Sequence, residues 1–302
     1  MRQSGLVRIF FAALALPGSC LLLAQPMESL RDDDGQLRVM DAPAARMVTL
    51  APSLTELVFA AGAGDRLAGV SAHSDYPAGA RRLPQVADAA GIGWESLLAL
   101  KPDLVLAWKG GTRPEDISRL NSLGVKVFVV EIKHLDDVAR TLQSIGKLVA
   151  RSGPAERAAE VFRRRLNTLR ISNADKPTVK TFFEVSSRPL MTINGDHVIS
   201  EMIHLCGGSN VFEDAPGLVN EPSPEELLAR GPDAVLYGKS AGEKQRANGS
   251  VYDSLPAVRE GRIYGITADY AFRPGPRLLL ATDEICNALD RARASMKVRM
   301  AR

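Results

Sequence analysis

The sequence predicts an α/β protein with two Rossmann-like lobes, each built on a parallel sheet, joined by one long interlobe helix. The first observation is an internal repeat, in which ESLLALKPDLVLAW at 95–108 matches EELLARGPDAVLYG at 225–238. The second is that a helix-like stretch ending in glycine precedes each copy, TELVFAAG at 55–62 and SEMIHLCG at 200–207. Strand-like and helix-like segments therefore alternate in both halves, which is typical of parallel sheets covered by helices on both faces.

The first lobe is predicted over residues 46–153, with strands at 47–50, 67–70, 104–107 and 126–130. Ser53 and Glu56 match a Ser-x-x-Glu capping box, which predicts the start of a helix over 54–61. Gly62 is expected to end that helix. The Gly-Ala-Gly at 62–64 thus follows a helix, whereas a phosphate-binding loop joins a strand to a helix, so a nucleotide site is disfavoured here.

A helix over residues 154–174 is predicted to connect the lobes. Its apolar side chains recur near helical spacing, at Ala158, Val161, Phe162, Leu166 and Leu169. At ~1.5 Å per residue it is long enough to reach from one lobe to the other, and a single stiff helix permits little hinge motion. The second lobe then covers residues 175–302, with its first strand expected at 178–185 and a late strand at 262–266.

Residues 1–24 are predicted to be an export signal peptide, so the mature protein is expected outside the cytoplasm; the resemblance described below implies the periplasm. Two arginines precede an apolar run at 9–16, and Pro-Gly-Ser interrupts that run before it reaches membrane-spanning length. A lipid anchor through Cys20 ranks second, because a proline stands where a lipobox normally has leucine. Residues 25–45 are predicted to be a solvated linker, since the RDDDGQ run lacks the later glutamate of a calcium loop.

Two cysteines, Cys206 and Cys286, follow the predicted signal peptide. An even pair in an exported chain favours a disulfide bond, because the compartment is oxidising. Two buried free thiols are the alternative.

The composition and the motifs argue against several classes of function. Charged residues make up 24% of the chain and the net charge is +3, without a basic stripe, so no nucleic-acid partner is expected. The sequence has no G-x-S-x-G, Walker A, H-E-x-x-H or C-x-x-C motif. Its four histidines are scattered, and no carboxylate pair is nominated as acid and base. These absences count against the common hydrolase, NTPase and zinc-enzyme classes, whereas an enzyme with paired carboxylates needs no local motif and stays an alternative. We name no catalytic residue and no metal site, and we favour a binding protein over an enzyme.

Three loops at the carboxyl ends of predicted strands carry chemically versatile residues. They are SAHSDYP at 71–77, Trp108 followed by Lys-Gly-Gly, and TADYAFRPGPR at 267–277. Together they would form a cleft with aromatic faces, flanked by Asp269 and Arg273. Such a cleft suits a large flat ligand with amide and other polar edges.

The motifs RMVTLAPSLTELVFAAG, SDYP, ALKPDLVLAWKGG, CGGSNVF and DYAFRPGPR resemble, in order and spacing, the metal-chelate binding proteins with a rigid interlobe helix. Within that family they are most similar to the periplasmic cobalamin-binding proteins of ABC importers. The resemblance implies a transported corrinoid rather than a cofactor, and a monomer that docks on a transmembrane permease dimer. It implies a disulfide between the two cysteines and docking through Glu95 and Glu225. The implied ligand-binding residues are His73, Trp108, Asp269, Tyr270 and Arg273.

The sequence departs from the cobalamin-binding pattern at three aromatic positions. His73 stands where that pattern has tyrosine, and tryptophans are missing near Ala89 and Val219. A different cobamide, a corrinoid precursor, haem or a ferric siderophore therefore remain alternative ligands. A hypothesis from another class is an exported enzyme that acts on a tetrapyrrole or metal chelate with the same scaffold.

Overall fold

The computed structural model describes residues 29–240 and 254–300. The strands are β1 (Leu30–Arg31), β2 (Leu37–Arg38), β3 (Met47–Thr49), β4 (Leu67–Ser71), β5 (Gln85–Asp88), β6 (Gly91–Ile92), β7 (Leu104–Trp108), β8 (Lys126–Val130), β9 (Val179–Glu184), β10 (Ser186–Ser187), β11 (Leu190–Ile193), β12 (Gly208–Asn210), β13 (Val219–Asn220), β14 (Ala234–Lys239) and β15 (Ile263–Thr267). The helices are α1 (Pro52–Ala60), α2 (Trp94–Ala99), α3 (Pro114–Ser122), α4 (Leu135–Leu148), α5 (Ser152–Asn173), α6 (Val198–Leu205), α7 (Pro224–Arg230), α8 (Pro256–Arg259), α9 (Ala268–Ala271) and α10 (Leu278–Met300). The predicted signal peptide lies outside the described residues. Within them, no helix combines the length and the apolar character that crossing a bilayer demands.

Two main sheets confirm the predicted fold class. The first has the strand order β6-β5-β4-β3-β7-β8, and all neighbours are parallel except β5 and β6. The second has the order β12-β9-β14-β15 and is parallel throughout. A small antiparallel sheet, β10-β11-β13, is attached to the second lobe.

Both faces of each main sheet are buried, as a parallel sheet requires. Along β8, Phe128 and Val130 belong to one apolar cluster, whereas Val127 and Val129 belong to a second cluster on the opposite face. The first cluster continues through α4 and α5 to α6 and α10 of the second lobe. One core therefore runs through both lobes, and a smaller cluster around Phe182 covers the remaining face of the second sheet.

The helix that precedes each repeat ends as predicted. Gly62 follows α1 with φ +75° and Gly207 follows α6 with φ +72°. Glycine adopts this left-handed conformation without the steric penalty that a Cβ brings. The repeat is thus a repeat of structure: α1, α2, β7 and β8 of the first lobe correspond to α6, α7, β14 and β15 of the second.

The predicted capping box at the start of α1 is wrong. The helix begins at Pro52, which fits the first helical position because proline lacks the N–H that would be unsatisfied there. The N-cap residue is Ala51, and no side chain caps the helix. Glu56 is 3% exposed and binds Arg277 of the second lobe. Burying an ionised carboxylate costs free energy unless it is paired, and the guanidinium of Arg277 is that partner for Glu56.

The connecting helix α5 has 22 residues and is therefore about 33 Å long. It packs against α4 of the first lobe, where Gly146 lets Ala155 approach closely, and against α6 and α10 of the second lobe. Its buried residues include Phe162, Leu166 and Leu169, as predicted, but Val161 is exposed. The domain boundaries at 153/154 and 174/175 stay a prediction.

The described part of the predicted linker is folded. Strands β1 and β2 form a hairpin, and the buried Asp32 carboxylate accepts hydrogen bonds from the Gln36 amide at 2.8 Å and from Arg38 Nε at 2.8 Å. The Asp33 amide donates to the Val129 carbonyl at 3.0 Å, which joins the hairpin to the edge strand β8. The Asp33 carboxylate also accepts a hydrogen bond from the Glu131 amide at 2.7 Å. The expectation of a solvated segment missed these contacts with residues 129–131 because they are distant in sequence.

A disulfide bond joins Cys206, at the end of α6, to Cys286 in α10. Their Cα atoms lie 4.7 Å apart, and both residues are buried. The pairing favoured by the sequence is therefore present, and it fastens the last helix to the second lobe.

Candidate functional site

A cavity of about 700 Å³ lies between the lobes at the carboxyl ends of their central strands. The first lobe contributes residues that follow β7 and β8, and the second lobe contributes the start of α6, the stretch before β13 and the loop after α9. The lining residues are Trp108, Gly110, Glu131, Ile132, Lys133, His134, Asp196, His197, Val198, Leu218, Ala271, Phe272 and Pro274. Ligands of open α/β sheets bind at such strand ends, so this cleft is the candidate site.

Trp108 and Phe272 are the aromatic walls of the cleft, and both rest on glycine. A Cβ placed on Gly111 would lie 2.3 Å from Trp108 Cε3, closer than any real contact. A Cβ on Gly238 would lie 2.5 Å from Phe272 Cε2. Gly111 follows β7 and Gly238 lies near the end of β14, the equivalent strand. Each lobe therefore offers one partly exposed ring that lies in close contact with a glycine of the same lobe.

His197 provides a polar group on the second-lobe side of the cleft. Its Nδ1 accepts a hydrogen bond from the Ile199 amide at 3.1 Å and so caps α6. Burial lowers the pKa of His197 to about 4, which keeps the imidazole neutral at neutral pH. Because Nδ1 is the acceptor, the proton of the neutral ring is on Nε2. His197 can therefore donate a hydrogen bond through Nε2, but that protonated nitrogen is not a metal ligand.

The first-lobe side of the cleft is charged. Glu131 follows β8 and forms ion pairs with Lys109 at 3.4 Å and with Lys133 at 3.5 Å. His134 Nδ1 lies 3.6 Å from a Glu201 carboxylate oxygen of α6 in the second lobe. Hydrogen-bond donors and acceptors therefore lie around the two aromatic side chains. This arrangement suits a ligand with a flat body and polar edges. Among the residues that the structure describes, no cluster of His, Cys, Asp or Glu could hold a metal ion.

Of the five predicted ligand-binding residues, Trp108 lines the cavity. Asp269, Tyr270 and Arg273 belong to the same run as the lining residues Ala271 and Phe272, but they point into a separate group of charges. His73 is exposed in the 72–77 loop, with φ +61°.

That group, which we call the interlobe charge cluster, consists of Glu56, Asp75, Asp269, Arg273 and Arg277. From the second lobe, Arg273 pairs with Asp75 of the first lobe at 2.6 Å and with Asp269 at 3.0 Å. Arg277 donates through Nε to Glu56 of the first lobe at 2.8 Å. Its guanidinium also lies over the rings of Tyr76, at 4.4 Å, and Tyr270, at 5.2 Å. Ion pairs and stacking thus connect the lobes beside the cleft.

The two first-lobe carboxylates of the cluster respond differently to their surroundings. Burial raises the pKa of Glu56 and outweighs the opposing hydrogen bond and charge of Arg277. For Asp75 burial also acts to raise the pKa, but the hydrogen bond and charge of Arg273 outweigh it, so the pKa is lowered. Asp75 is the more exposed of the two, which explains the difference.

Sequence reasoning missed several lining residues that it had the means to find. Phe272 lies within the run quoted as a cleft loop but was not singled out. Residues 131–134 directly follow β8, a strand predicted over the correct residues, so the rule of strand carboxyl ends would have indicated them. Leu218 and residues 196–198 flank the small antiparallel sheet, which no repeat or periodicity in the sequence marks.

The proposed docking glutamates occupy equivalent places. Glu95 lies in the first turn of α2 and Glu225 in the first turn of α7, and both are exposed. Within residues 29–240 and 254–300 neither has an ion-pair partner, whereas the neighbouring Glu226 pairs with Arg230 at 2.9 Å. Both helices lead back to the amino ends of central strands, so both begin at the cleft-facing end of their lobe.

Comparison with known proteins identifies the scaffold. A family model described as periplasmic binding protein matches residues 47–270, most of the chain. The chain belongs to the periplasmic binding protein family. The family and its relatives are named for binding, so the chain is a periplasmic binding protein and not an enzyme, which removes the alternative of an exported enzyme.

Three relatives show how far the similarity extends. The vitamin B12-binding protein of Yersinia pestis is 37% identical over 246 residues, covering 82% of this chain and 86% of the relative. The crystal structure of the periplasmic vitamin B12-binding protein BtuF of Vibrio cholerae is 35% identical with a TM-score of 0.76, covering 83% of this chain and 98% of that one. The periplasmic haem-binding protein RhuT of Roseiflexus sp. RS-1 has a TM-score of 0.72 at 23% identity, covering 83% of this chain and 99% of that one, and shows a shared fold alone.

Proposed function

We propose that this periplasmic binding protein captures cobalamin or a related corrinoid in the interlobe cleft and delivers it to an ABC importer. The observation that carries the proposal is the pair of rings, Trp108 and Phe272, that face one cavity from different lobes. A corrinoid has a broad apolar face with amide groups at its edge, and the cleft offers rings surrounded by polar side chains. The similarity to vitamin B12-binding proteins over most of the chain supports the same ligand class.

In this proposal the two rings contact the macrocycle and the surrounding groups bind its amides. Nε2 of His197 is a donor, and the charged residues after β8 supply further partners. His73, Asp269, Tyr270 and Arg273 are proposed to meet the part of the ligand that extends from the cavity towards the interlobe charge cluster. Arg273 is already paired with two carboxylates, so we expect it to contribute its remaining donors.

The test is a titration of the purified mature protein with cyanocobalamin, followed by mass spectrometry of the recovered ligand. We expect one corrinoid per chain, recovered unchanged. Removing an aromatic anchor from the centre of an interface typically costs ~2 kcal/mol or more, so Trp108→Ala and Phe272→Ala should each weaken binding about thirtyfold. Trp94→Ala is the matched control, because the other tryptophan of the chain stacks on Arg119 and does not line the cavity.

Two results would contradict the proposal. One is unaltered corrinoid affinity in both cleft variants. The other is tight binding of haem or a ferric siderophore in the same assay, with none for cyanocobalamin. The second result would support the alternative ligands that the missing aromatic residues near Ala89 and Val219 leave open.

We further propose that the protein acts as a monomer and docks on a transmembrane permease dimer through Glu95 and Glu225. Two exposed glutamates without ion-pair partners in the described residues, one at the same place on each lobe, can meet two equivalent basic sites of a symmetric dimer. The variant Glu95→Arg with Glu225→Arg should fold and bind corrinoid normally but fail to stimulate ATP hydrolysis by the importer. Glu115→Arg is the control, since Glu115 is exposed in the first turn of α3. Normal stimulation by the double variant would show that the glutamates only complement their helix dipoles.

A further inference from the structure

Helices α2 and α7 are equivalent in burial as well as in sequence. Over residues 94–100 and 224–230 the order is the same in both copies: half-buried, two exposed, one buried, two exposed, half-buried. The buried position is Leu97 in one copy and Leu227 in the other. The next residue is again leucine in both, and it points outward: Leu98 is 38% exposed and Leu228 is 41% exposed.

A single exposed leucine is ordinary on a protein surface. Here the same exposure occurs twice, at equivalent positions of copies that have diverged around it. Ser96 of the first copy corresponds to Glu226 of the second, and Leu100 corresponds to Arg230, yet both copies retain the outward leucine. Neither leucine lines the cleft, so ligand contact does not account for them.

Each outward leucine shares a helix face with a glutamate that has no ion-pair partner in the described residues. Leu98 follows Glu95 by three residues and Leu228 follows Glu225 by three, a spacing that places the two side chains side by side. Both helices begin at the cleft-facing end of their lobe. The rim of the cleft therefore carries the same glutamate–leucine pair twice, once on each lobe.

We infer that Leu98 and Leu228 are the apolar half of the docking surface for the permease dimer. Each inserts into an apolar depression beside the basic site that receives the neighbouring glutamate. This inference rests on the proposed delivery to an importer and adds to it a partner surface of defined chemistry, which is basic and apolar side by side and present twice. The charges govern encounter and register, which depend on salt, whereas the burial of leucine supplies affinity that salt does not weaken.

The experiment measures the affinity of the full-length mature protein for the importer in lipid nanodiscs, at 50 mM and at 500 mM salt. Leu98→Ser with Leu228→Ser should weaken binding about tenfold at both salt concentrations. Glu95→Gln with Glu225→Gln should weaken binding at low salt and equal the parent at high salt. Each single leucine variant should show about half of the loss in free energy. Leu123→Ser is the control, because Leu123 is 48% exposed at the end of α3.

The outcomes separate this inference from the proposed function. Parent-like affinity of the leucine pair variant, with a loss in the glutamate variant, overturns the inference and leaves docking intact. A loss of affinity for the importer that vanishes at high salt in both the leucine and the glutamate pair variants also overturns the inference. If the parent binds no corrinoid but the leucine pair variant loses affinity for the importer at both salt concentrations, the inference is supported and the proposed ligand is contradicted. Self-association of the parent that the leucine variant abolishes would assign this face to a second copy of the chain, and would likewise overturn the inference.

Discussion

Glycine residues let Trp108 and Phe272 pack closely against the backbone. An aromatic ring at the end of a strand has several rotamers available, and each contact that a ring makes on one face leaves fewer of them accessible. Gly111 and Gly238 let the rings lie directly on the backbone, where any Cβ would occupy the same space. We therefore expect both rings to be ordered before a ligand binds, so that ordering them costs little free energy on binding.

Adding one methyl group under a ring tests this arrangement. Gly111→Ala should displace Trp108 and Gly238→Ala should displace Phe272, each weakening corrinoid binding about tenfold while every ligand-contacting side chain remains present. Gly153→Ala is the control, because a Cβ there would meet Arg157 at the ordinary distance of 3.5 Å. Titration with cyanocobalamin measures the effect. Parent-like affinity in both variants would mean that the rings adjust freely.

His197 makes the stability of the second lobe depend on pH. Its pKa of about 4 in the folded protein is below the unfolded value of 6.5. A depressed pKa contributes stability that is present above pH 6.5 and is lost as pH falls towards 4, because the unfolded chain binds the proton first. His197→Asn can still accept the Ile199 amide but does not titrate in this range. Urea unfolding should therefore show that the parent loses more stability than this variant between pH 6.5 and pH 4. Equal losses would contradict the assignment.

Helices and strands could be predicted where the sequence marks both of their ends. The strand over residues 126–130 was predicted within its observed bounds, and α1 and α6 end at glycines that were recognised as helix stops. The β1–β2 hairpin and the β10-β11-β13 sheet were missed because short antiparallel strands have too few residues to show a period. Their partners are set by contacts distant in sequence, as in the bonds between Asp33 and β8.

The disulfide bond between α6 and α10 can be removed either by mutation or by reduction. It closes a loop of 80 residues between α6 and α10, so it should stabilise the folded state by ~2–4 kcal/mol, mainly by restricting the unfolded chain. Cys206→Ala with Cys286→Ala should lower the free energy of unfolding by that amount. Reduction of the parent should reproduce the effect, and reducing agent should leave the double variant unchanged. Two titratable thiols in the denatured, unreduced protein would refute the bond.

At the scale of the whole molecule, three features hold the lobes together. They are the helix α5, the apolar core that continues through it, and the interlobe charge cluster beside the cleft. The two lobes and the helix could be predicted, because the repeat and the amphipathic stretch are local patterns. The cluster could not, because it pairs Glu56 with a residue 221 positions away. Asp269 and Arg273 were singled out as ligand groups, and the structure shows that they also bind each other.

The cluster predicts an asymmetry between single and paired substitutions. Arg277→Met leaves the buried Glu56 without its main partner and should cost about 3 kcal/mol of stability. Glu56→Met with Arg277→Met removes both charges and should regain most of that loss, since an apolar pair of similar size avoids the desolvation of two ions. Urea unfolding of the parent, the single variant and the double variant measures this. A single variant as stable as the parent would show that the pair does not couple the lobes.

Restricted motion between the two lobes would have a consequence for the rate of import. The 22-residue helix α5, the shared apolar core and the interlobe charge cluster join the lobes, so we expect the rim of the cleft to keep the same shape with and without a ligand. For the proposed delivery, vacant and filled copies then present the same docking surface to the importer. Vacant copies therefore occupy the importer in proportion to their abundance. Uptake would be self-limiting: beyond a certain ratio of binding protein to importer, each additional copy made without vitamin available would slow import rather than speed it.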